Sequence, residues 1–172
     1  MAAQISTTIR TLSLAISTHL RSTLELEVEN VKWWAEPAIP KRHDQTKEIF
    51  LRWRRAAVNP GPWEAGGSYT TLVQRLLDVY PRRHMNASTS DHEAFLFDPD
   101  FGSLTWEETV IRAMLIGDDG HEYIPEDGDG NTLTIQPIQL AAAAEMVKTP
   151  GAVGWGEGTY TFQVVYSMLL RV

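Results

Sequence analysis

Three side chains at alternate positions, Asp127, Asp129 and Asn131, carry the oxygen ligands with which a calcium-binding loop begins. Alternate carboxylate and amide oxygens can converge on a hard cation. The pattern then fails, because Thr132 stands where the loop needs a glycine and Ile138 stands where it needs a bidentate glutamate. We therefore interpret the segment as a tight turn in preference to a metal site.

A second group of possible metal ligands is spread over residues 84–121. Its members are His84, Asp91, His92, Glu93, Asp98, Asp100 and His121. Imidazole and carboxylate groups together suit zinc or a two-metal site, but no pair has the i, i+4 helical spacing of a zinc protease. Surface loops also collect Asp and His. A small metal-dependent hydrolase stays an alternative, and it requires Asp91, His92 and His121 to converge.

Motifs for nucleophilic catalysis and nucleotide binding are missing. There is no G-x-S-x-G elbow, and the glycine-rich segment 151–156 lacks dinucleotide-binding spacing and precedes a strand. The chain has no cysteine, which excludes disulfides, thiolate zinc sites and a cysteine nucleophile. We expect a protein that is not an enzyme and that uses no cofactor and no metal.

Basic and aromatic residues alternate between residues 41 and 55, a combination that contacts phosphates and stacks on bases. The net charge of −7 argues against a dedicated nucleic-acid binder, although passive contact with DNA stays open. The alternative is a solvated strand face that carries Arg52 and Arg54 and places Trp53 in the core. A regulatory binding module that uses this face is a third functional possibility.

Three or four of the six tryptophans fall in segments that we predict to be loops. Loop tryptophans often anchor a partner subunit, because a large apolar ring is costly to leave in water. The alternative is that the loops fold back on their own core. We hypothesise a partner interface that is formed by Trp33, Trp34, Arg52, Arg54, Trp63 and Trp155.

Charge is divided unevenly along the chain. Residues 1–84 hold 12 Lys and Arg against 8 Asp and Glu, whereas residues 85–172 hold 3 against 14, so the halves carry +4 and −11. If the halves do not interleave in the fold, the domain has two sides of opposite sign. Such a molecule favours head-to-tail contacts between copies or docking between unlike partners, and simple solvation is the alternative.

The elements that position these residues begin from the last stretch, 159–172. Tyr160, Phe162, Val164 and Tyr166 alternate with polar residues, which predicts a long strand that ends inside a sheet. Near the other end, an apolar stripe over residues 3–23 predicts an amphipathic helix. The composition of this segment also resembles an organelle transit peptide, but a helix on the core is preferred.

Between these ends, the pattern predicts strands at 24–29, 48–58 and 131–136, and helices at 105–116 and 137–148. Residues 69–80 fit either a strand or a helix capped by Ser68, and strand is favoured, with Pro81 as its end. Strands 48–58 and 69–80 then form a hairpin with a long tip. The helix at 105–116 opens with a capping-box pattern at Thr105.

The length of 172 residues suits one domain. We predict an α+β fold, a single domain over residues 1–172 with a mostly antiparallel sheet packed by the N-terminal helix and a second helix. Long loops are expected at 30–47, 82–102 and 149–158. No apolar run approaches the length of a membrane span, so no membrane partner is expected.

This organisation resembles the tail terminator, or tail completion, proteins of tailed bacteriophages. The resemblance rests on element order and size over most of the chain: an amphipathic helix, a long-tipped hairpin, a helix after a polar loop and a final strand. It implies a structural protein that forms a hexameric ring on the end of the tail tube and joins it to the neck. The implied location is the virion, assembled in the host cytoplasm. A head-tail connector or another neck or minor tail protein is the alternative within this class.

Overall fold

The computed structural model describes residues 7–34, 47–54, 57–59, 69–84, 97, 102–144, 155–157 and 159–170. Their helices and strands are α1 (Ile9–Thr23), β1 (Val31–Trp33), β2 (Lys47–Trp53), β3 (Ala57–Asn59), β4 (Tyr69–His84), α2 (Ser103–Leu115), β5 (Gln139–Ala144), β6 (Trp155–Glu157) and β7 (Thr159–Leu170). The strands form one sheet in the order β1-β2-β4-β7-β5, in which β3 and β6 also pair with β4. All described pairs are antiparallel except β1 with β2. The predicted α+β class is confirmed.

Strand β4 is the centre of the sheet and pairs with β2, β3, β6 and β7. Its strand conformation confirms the preferred interpretation of residues 69–80. The prediction that Pro81 ends the strand is wrong, because β4 continues to His84. Pro81 falls between the pairing with β7, which ends at Val79, and the pairing with β6, which begins at Arg82. Proline has no N–H to donate, and on the edge of β4 that faces β7 and β6 no described strand pairs with Pro81, so no ladder hydrogen bond is lost there.

The final strand contributes the predicted apolar face to the core. Phe162, Val164 and Tyr166 are each at most 2% exposed. They belong to the same buried cluster as three residues of α1 (Leu12, Ile16, Leu20) and four of α2 (Trp106, Val110, Ala113, Met114). Burying a side chain of this size contributes roughly 1.5–3 kcal/mol. The two helices and the end of the chain thus depend on one another for stability.

The start and end of α1 differ from the expectation. Thr8 caps the helix, because its Oγ1 accepts a hydrogen bond from the N–H of Thr11 at 3.1 Å. Residues 7 and 8 are not helical, and residues 3–6 of the predicted helix lie outside the described residues. At the other end, the Leu26 N–H donates to the Arg21 carbonyl at 2.9 Å and the Glu25 N–H donates to the Ser22 carbonyl at 3.4 Å. These two bonds form a Schellman motif.

The strand predicted at residues 24–29 is therefore wrong. Glu25 has a φ of 51°, the left-handed conformation that a Schellman motif needs and a strand cannot use. Leu24 and Leu26 pack against the core from this turn, and a single 3-10 turn follows at Val28–Asn30. The alternation of leucine with glutamate reflects the apolar contacts of a helix end.

Two further predictions in the second half are wrong. The predicted strand at 131–136 bends, because the Leu133 N–H donates to the Pro125 carbonyl and the Ile135 N–H donates to the Val165 carbonyl, in different parts of the fold. The predicted helix at 137–148 is strand β5 over residues 139–144, and residues 145–148 lie outside the described residues. The free edge of β7 offers a ladder of hydrogen bonds, and this tertiary pairing overrides the helix propensity of a run of alanines.

The predicted loops are partly strands. β1 lies within the predicted loop 30–47, the end of β4 lies within 82–102, and β6 lies within 149–158. Most other positions of these three loops, and the hairpin tip at 60–68, lie outside the described residues. The predicted strand at 48–58 is divided into β2 and β3, and the hairpin with β4 is confirmed. The prediction of a capping box at Thr105 is wrong, because the N-cap of α2 is Gly102, which makes no side-chain hydrogen bond.

The left-handed Glu25 provides a test of the helix end. Glu25→Gly should raise the free energy of unfolding by about 0.5 kcal/mol, since glycine removes the left-handed penalty of roughly 1–2 kcal/mol and adds a smaller entropy cost in the unfolded chain. Urea denaturation measures the change. Glu25→Ala is the matched control and should show no gain, because alanine keeps the β-carbon. A destabilised Glu25→Gly variant would contradict this account of the turn.

Candidate interaction surface

The calcium-like segment is a self-contained turn, as the preferred interpretation expected. The Asp127 Oδ1 accepts hydrogen bonds from the backbone N–H groups of Asp129 and Asn131, both at 2.9 Å, and from the Asn131 side-chain amide at 3.1 Å. The hydrogen bonds from Asn131 lower the pKa of Asp127 below its ordinary value. Gly130 takes a φ of 78° to close the turn. Both carboxylate oxygens of Asp127 therefore accept hydrogen bonds within the turn itself.

Most residues of the second possible metal site lie outside the described part of the chain. They are Asp91, His92, Glu93, Asp98 and Asp100. His121 is exposed, and His84 is described only as a backbone position in β4. Within the described part of the chain, no three His, Asp or Glu side chains are grouped so that they could hold a metal ion.

Trp33 lies in β1 and not in a loop, and its ring packs within its own protomer. The ring stacks on Trp53 with centroids 5.6 Å apart and an interplanar angle of 12°. The Nε1–H groups of Trp33 and Trp53 donate to the hydroxyls of Ser17 and Ser13 on α1, at 3.0 and 2.8 Å. These contacts fix the start of the sheet against α1, which is the alternative role that the sequence left open for this tryptophan.

Of the other tryptophans of the hypothesised interface, only Trp34 has a described side chain. Trp34 is half-buried and meets the edge of Phe50, with ring centroids 6.1 Å apart. Trp63 lies outside the described residues, and Trp155 is described only through its backbone, which pairs with His84. An interface that uses Trp34, Trp63 and Trp155 stays a prediction.

The two arginines of the proposed interface converge on a carboxylate that the sequence analysis did not single out. Arg52 Nη2 lies 2.8 Å and Arg54 Nε 2.9 Å from the carboxylate of Asp78, whose side chain is 0% exposed. The Thr161 hydroxyl, on β7, also donates to Asp78 at 2.9 Å. Arg52 and Arg54 are 27% and 48% exposed, so their outer surfaces still reach water.

Burial alone raises the pKa of Asp78, but hydrogen bonds from Arg54, Arg52 and Thr161 outweigh burial and hold it below its ordinary value. The carboxylate is therefore ionised at neutral pH and neutralises much of the basic patch. A signal for this was present in the sequence: an acid stands in the apolar run 76–80, and two arginines alternate on the neighbouring strand. Only the register, which places Arg52 opposite Asp78, joins them.

A second ionic cluster lies further along the same face of the sheet. Lys32 Nζ is 3.2 Å from the carboxylate of Glu48, which is fully buried and lies opposite Arg82 in the register. Arg82 is 1% exposed, and its guanidinium lies 5.8 Å from the centre of the Phe50 ring. Buried charges of this kind are stable only when paired. This end of the face is thus part of the structure and does not offer free charges to a ligand.

Strand order keeps the two halves of the sequence apart. Strands β1 to β4 belong to the half that carries +4, and β7 and β5 belong to the half that carries −11. Among the described strands, only β6, which pairs with the end of β4, crosses between them. We name the β1–β4 part of the sheet the basic side and the β7–β5 part, with residues 117–130, the acidic side. Strands β5 and β7 carry no charged residue themselves, so the described negative charge of this side lies in residues 117–130, which also contact α1 where Thr23 donates to Asp118 at 2.9 Å.

Six carboxylates are concentrated on the acidic side, within residues 117–130, which contain no Lys or Arg. They are Asp118, Asp119, Glu122, Glu126, Asp127 and Asp129. The Ile138 N–H donates to the Tyr123 carbonyl at 3.3 Å, which ties this segment to the start of β5. The start of β5 is therefore joined to this acidic segment, whose Asp118 also accepts a hydrogen bond from Thr23 on α1 at 2.9 Å.

A buried acid on α2 is another residue that the sequence analysis missed. The hydroxyl of Tyr160 donates to Glu107 Oε2, while Glu107 Oε1 is buried without a hydrogen-bond partner. Burial raises the pKa of Glu107, and the hydrogen bond from Tyr160 only partly opposes this. The group lies in the core and helps to position α2 against β7.

No family model matches the sequence, and no curated protein is significantly similar to it. Neither described helix is long and apolar enough to span a membrane.

Removing the Asp78 carboxylate should destabilise the fold strongly. We expect Asp78→Asn to lower the free energy of unfolding by about 3 kcal/mol, because two arginines lose a buried ionic partner. Denaturant unfolding at neutral pH measures the loss. The exposed Asp129→Asn is the control and should change stability by less than about 0.5 kcal/mol. Because the folded state lowers the pKa of Asp78, its contribution is present at neutral pH and disappears as the pH falls through that pKa, so the two proteins should converge in acid.

Glu107 should show the opposite pH dependence. Its raised pKa means that the folded state favours the protonated form, so ionisation above that pKa costs stability. Glu107→Gln should therefore stabilise the protein at pH 7–8, by about 1 kcal/mol, and the gain should vanish below pH 4, where the wild-type group is also neutral. Thermal unfolding at several pH values measures this. A gain that is independent of pH would show that packing, and not charge, is responsible.

Proposed function

We propose that this chain is a structural virion protein of a tailed phage, a ring-forming tail terminator that caps the tail tube and joins it to the neck. The observation that carries the proposal is the separation of the basic and acidic sides by strand order. A protomer with opposite charges on its two sides can bind the next copy head to tail, and repeated head-to-tail contacts close into a ring when the rotation allows it.

The fold agrees with the resemblance in several elements. The first helix, the antiparallel hairpin of β2 and β3 with β4, the second helix and the final strand occur in the expected order. The arginines of the hairpin are held by Asp78 with their outer surfaces in water. In the proposed ring they supply a fixed positive surface to a neighbouring copy, and DNA in the channel would make only passive contact.

The proposal predicts assembly that depends on concentration and salt. The purified protein should form rings that light scattering and negative-stain images detect, and the rings should weaken as salt rises, because salt screens contacts between oppositely charged sides. Added to tail tubes that lack a terminator, the protein should sit on the tube ends. Images also count the copies, with six expected for a terminator and a larger number for a connector.

Two results would contradict the proposal. One is a protein that stays monomeric at high concentration and low salt and also fails to bind tail tubes. The other is a salt-independent assembly with no preference for tube ends. The Thr109→Ser variant is a useful control for the preparation, because Thr109 is exposed on α2, outside the basic and acidic sides, so assembly should stay intact.

A further inference from the structure

The outer edge of β5 has no partner strand among the described residues. β5 pairs with β7 on one edge, and no other described strand pairs with it. Gln139, Leu140, Ala141 and Ala142 are all exposed, and Leu140 is 42% exposed. Proline, lysine and other charged residues are the usual means by which a natural sheet edge avoids pairing with another chain. The sequence of β5 contains none of them. Its one irregularity is a bulge between Leu140 and Ala142.

A second edge without a described partner strand lies on the basic side. β3 pairs with β4 through Val58 and Val73, and no other strand in the described part of the chain pairs with it. Its residues, Ala57, Val58 and Asn59, are also small or medium-sized and uncharged. Arg54, which precedes it on the same arm of the hairpin, is half exposed. Among the described strands, one uncharged edge thus follows the arm that carries Arg54, and another begins next to the residue that is hydrogen-bonded to the acidic segment 117–130.

We propose that β5 of one copy pairs with β3 of the next copy, so that the sheets of neighbouring protomers join. The proposal rests on the ring-forming function above and names the contact that builds the ring. The occupant is a second copy because both edges are uncharged, and the elements attached to them differ in sign: segment 117–130 is joined to the start of β5, whereas the arm that precedes β3 carries Arg52 and Arg54, whose outer surfaces reach water. Strand direction agrees, because β3, β4, β7 and β5 alternate in direction, so β5 meets the next β3 antiparallel.

The offset between the two edges favours closure. Ala57 lies opposite Gln74, which lies opposite Val165 on β7, whereas Ala142 lies opposite Thr161. If Ala57 of one copy pairs with Ala142 of the next, the join is displaced along the strands by the four residues that separate Thr161 from Val165. With residues about 3.4 Å apart along a strand and strands about 4.8 Å apart, this displacement over four strand spacings corresponds to a tilt of about 35°. Closed sheets have tilts of roughly 35–45°, so repeated pairing of these edges is compatible with a ring.

Disulfide trapping tests the contact directly, because the chain has no cysteine of its own. The variants are Ala57→Cys and Ala142→Cys, extended to Val58→Cys and Ala141→Cys to cover the neighbouring register. Within one protomer β3 and β5 are three strand spacings apart, about 14 Å, which is beyond the reach of a disulfide. We expect an equimolar mixture of Ala57→Cys and Ala142→Cys to give a covalent dimer under mild oxidation. A chain that carries both changes should give a ladder of multimers.

The controls separate this contact from the others. Each single variant alone should stay uncrosslinked, and Thr109→Cys, which is exposed on α2, should not crosslink with Ala142→Cys. Crosslinking of Ala142→Cys with itself would overturn the proposal in favour of two β5 edges meeting. Rings that form without any β3 to β5 crosslink would overturn the contact and leave the proposed function standing. A strictly monomeric protein that also ignores tail tubes would overturn both.

Discussion

The carboxylate of Asp78 joins the two sides of this molecule. It lies in the central strand β4, accepts hydrogen bonds from Arg52 and Arg54 on the β2 arm, and accepts another from Thr161 on β7. A fully buried carboxylate is tolerated only when such partners replace water. The pairing of β2, β4 and β7 in one register is therefore a condition for burying this charge, and a shift of one residue in either strand pair would leave it unpaired.

This constraint has a consequence for what the sheet can present to other molecules. The sequence suggested a basic and aromatic patch, but Asp78 holds the guanidinium groups of Arg52 and Arg54 in place. The indole N–H groups of Trp33 and Trp53 are hydrogen-bonded to α1. What remains available to a partner in the described part of the chain is the water-facing side of Arg52 and Arg54 and the rim of the sheet. There, the uncharged edge strands β3 and β5 lie on sides of opposite sign, an arrangement that favours contacts between copies.

The sequence predicted features that depend on neighbouring residues better than features that depend on contacts between residues far apart in the chain. The apolar alternation of the last strand predicted β7 well, since one face of a strand reports its own burial. The alternation at 24–29 predicted a strand wrongly, because the same pattern arises where Leu24 and Leu26 pack at a helix end. The alanines of β5 have helical propensity, and only the edge of β7 decides their conformation. Asp78 was missed because its partners lie 26 and 24 residues away and are brought together only by the register.

The central claim is that copies of this protein join through the outer edges of β3 and β5. Hydrogen exchange on the assembled protein, compared with the same protein dissociated by dilution and salt, measures it most directly, because outward amides exchange rapidly until another strand bonds them. The account predicts new protection on assembly at residues 57–59 and 139–144, with little change along β4 and β7. Protection confined to α1 or to the edge of β1, with β3 and β5 still exchanging freely, would contradict it.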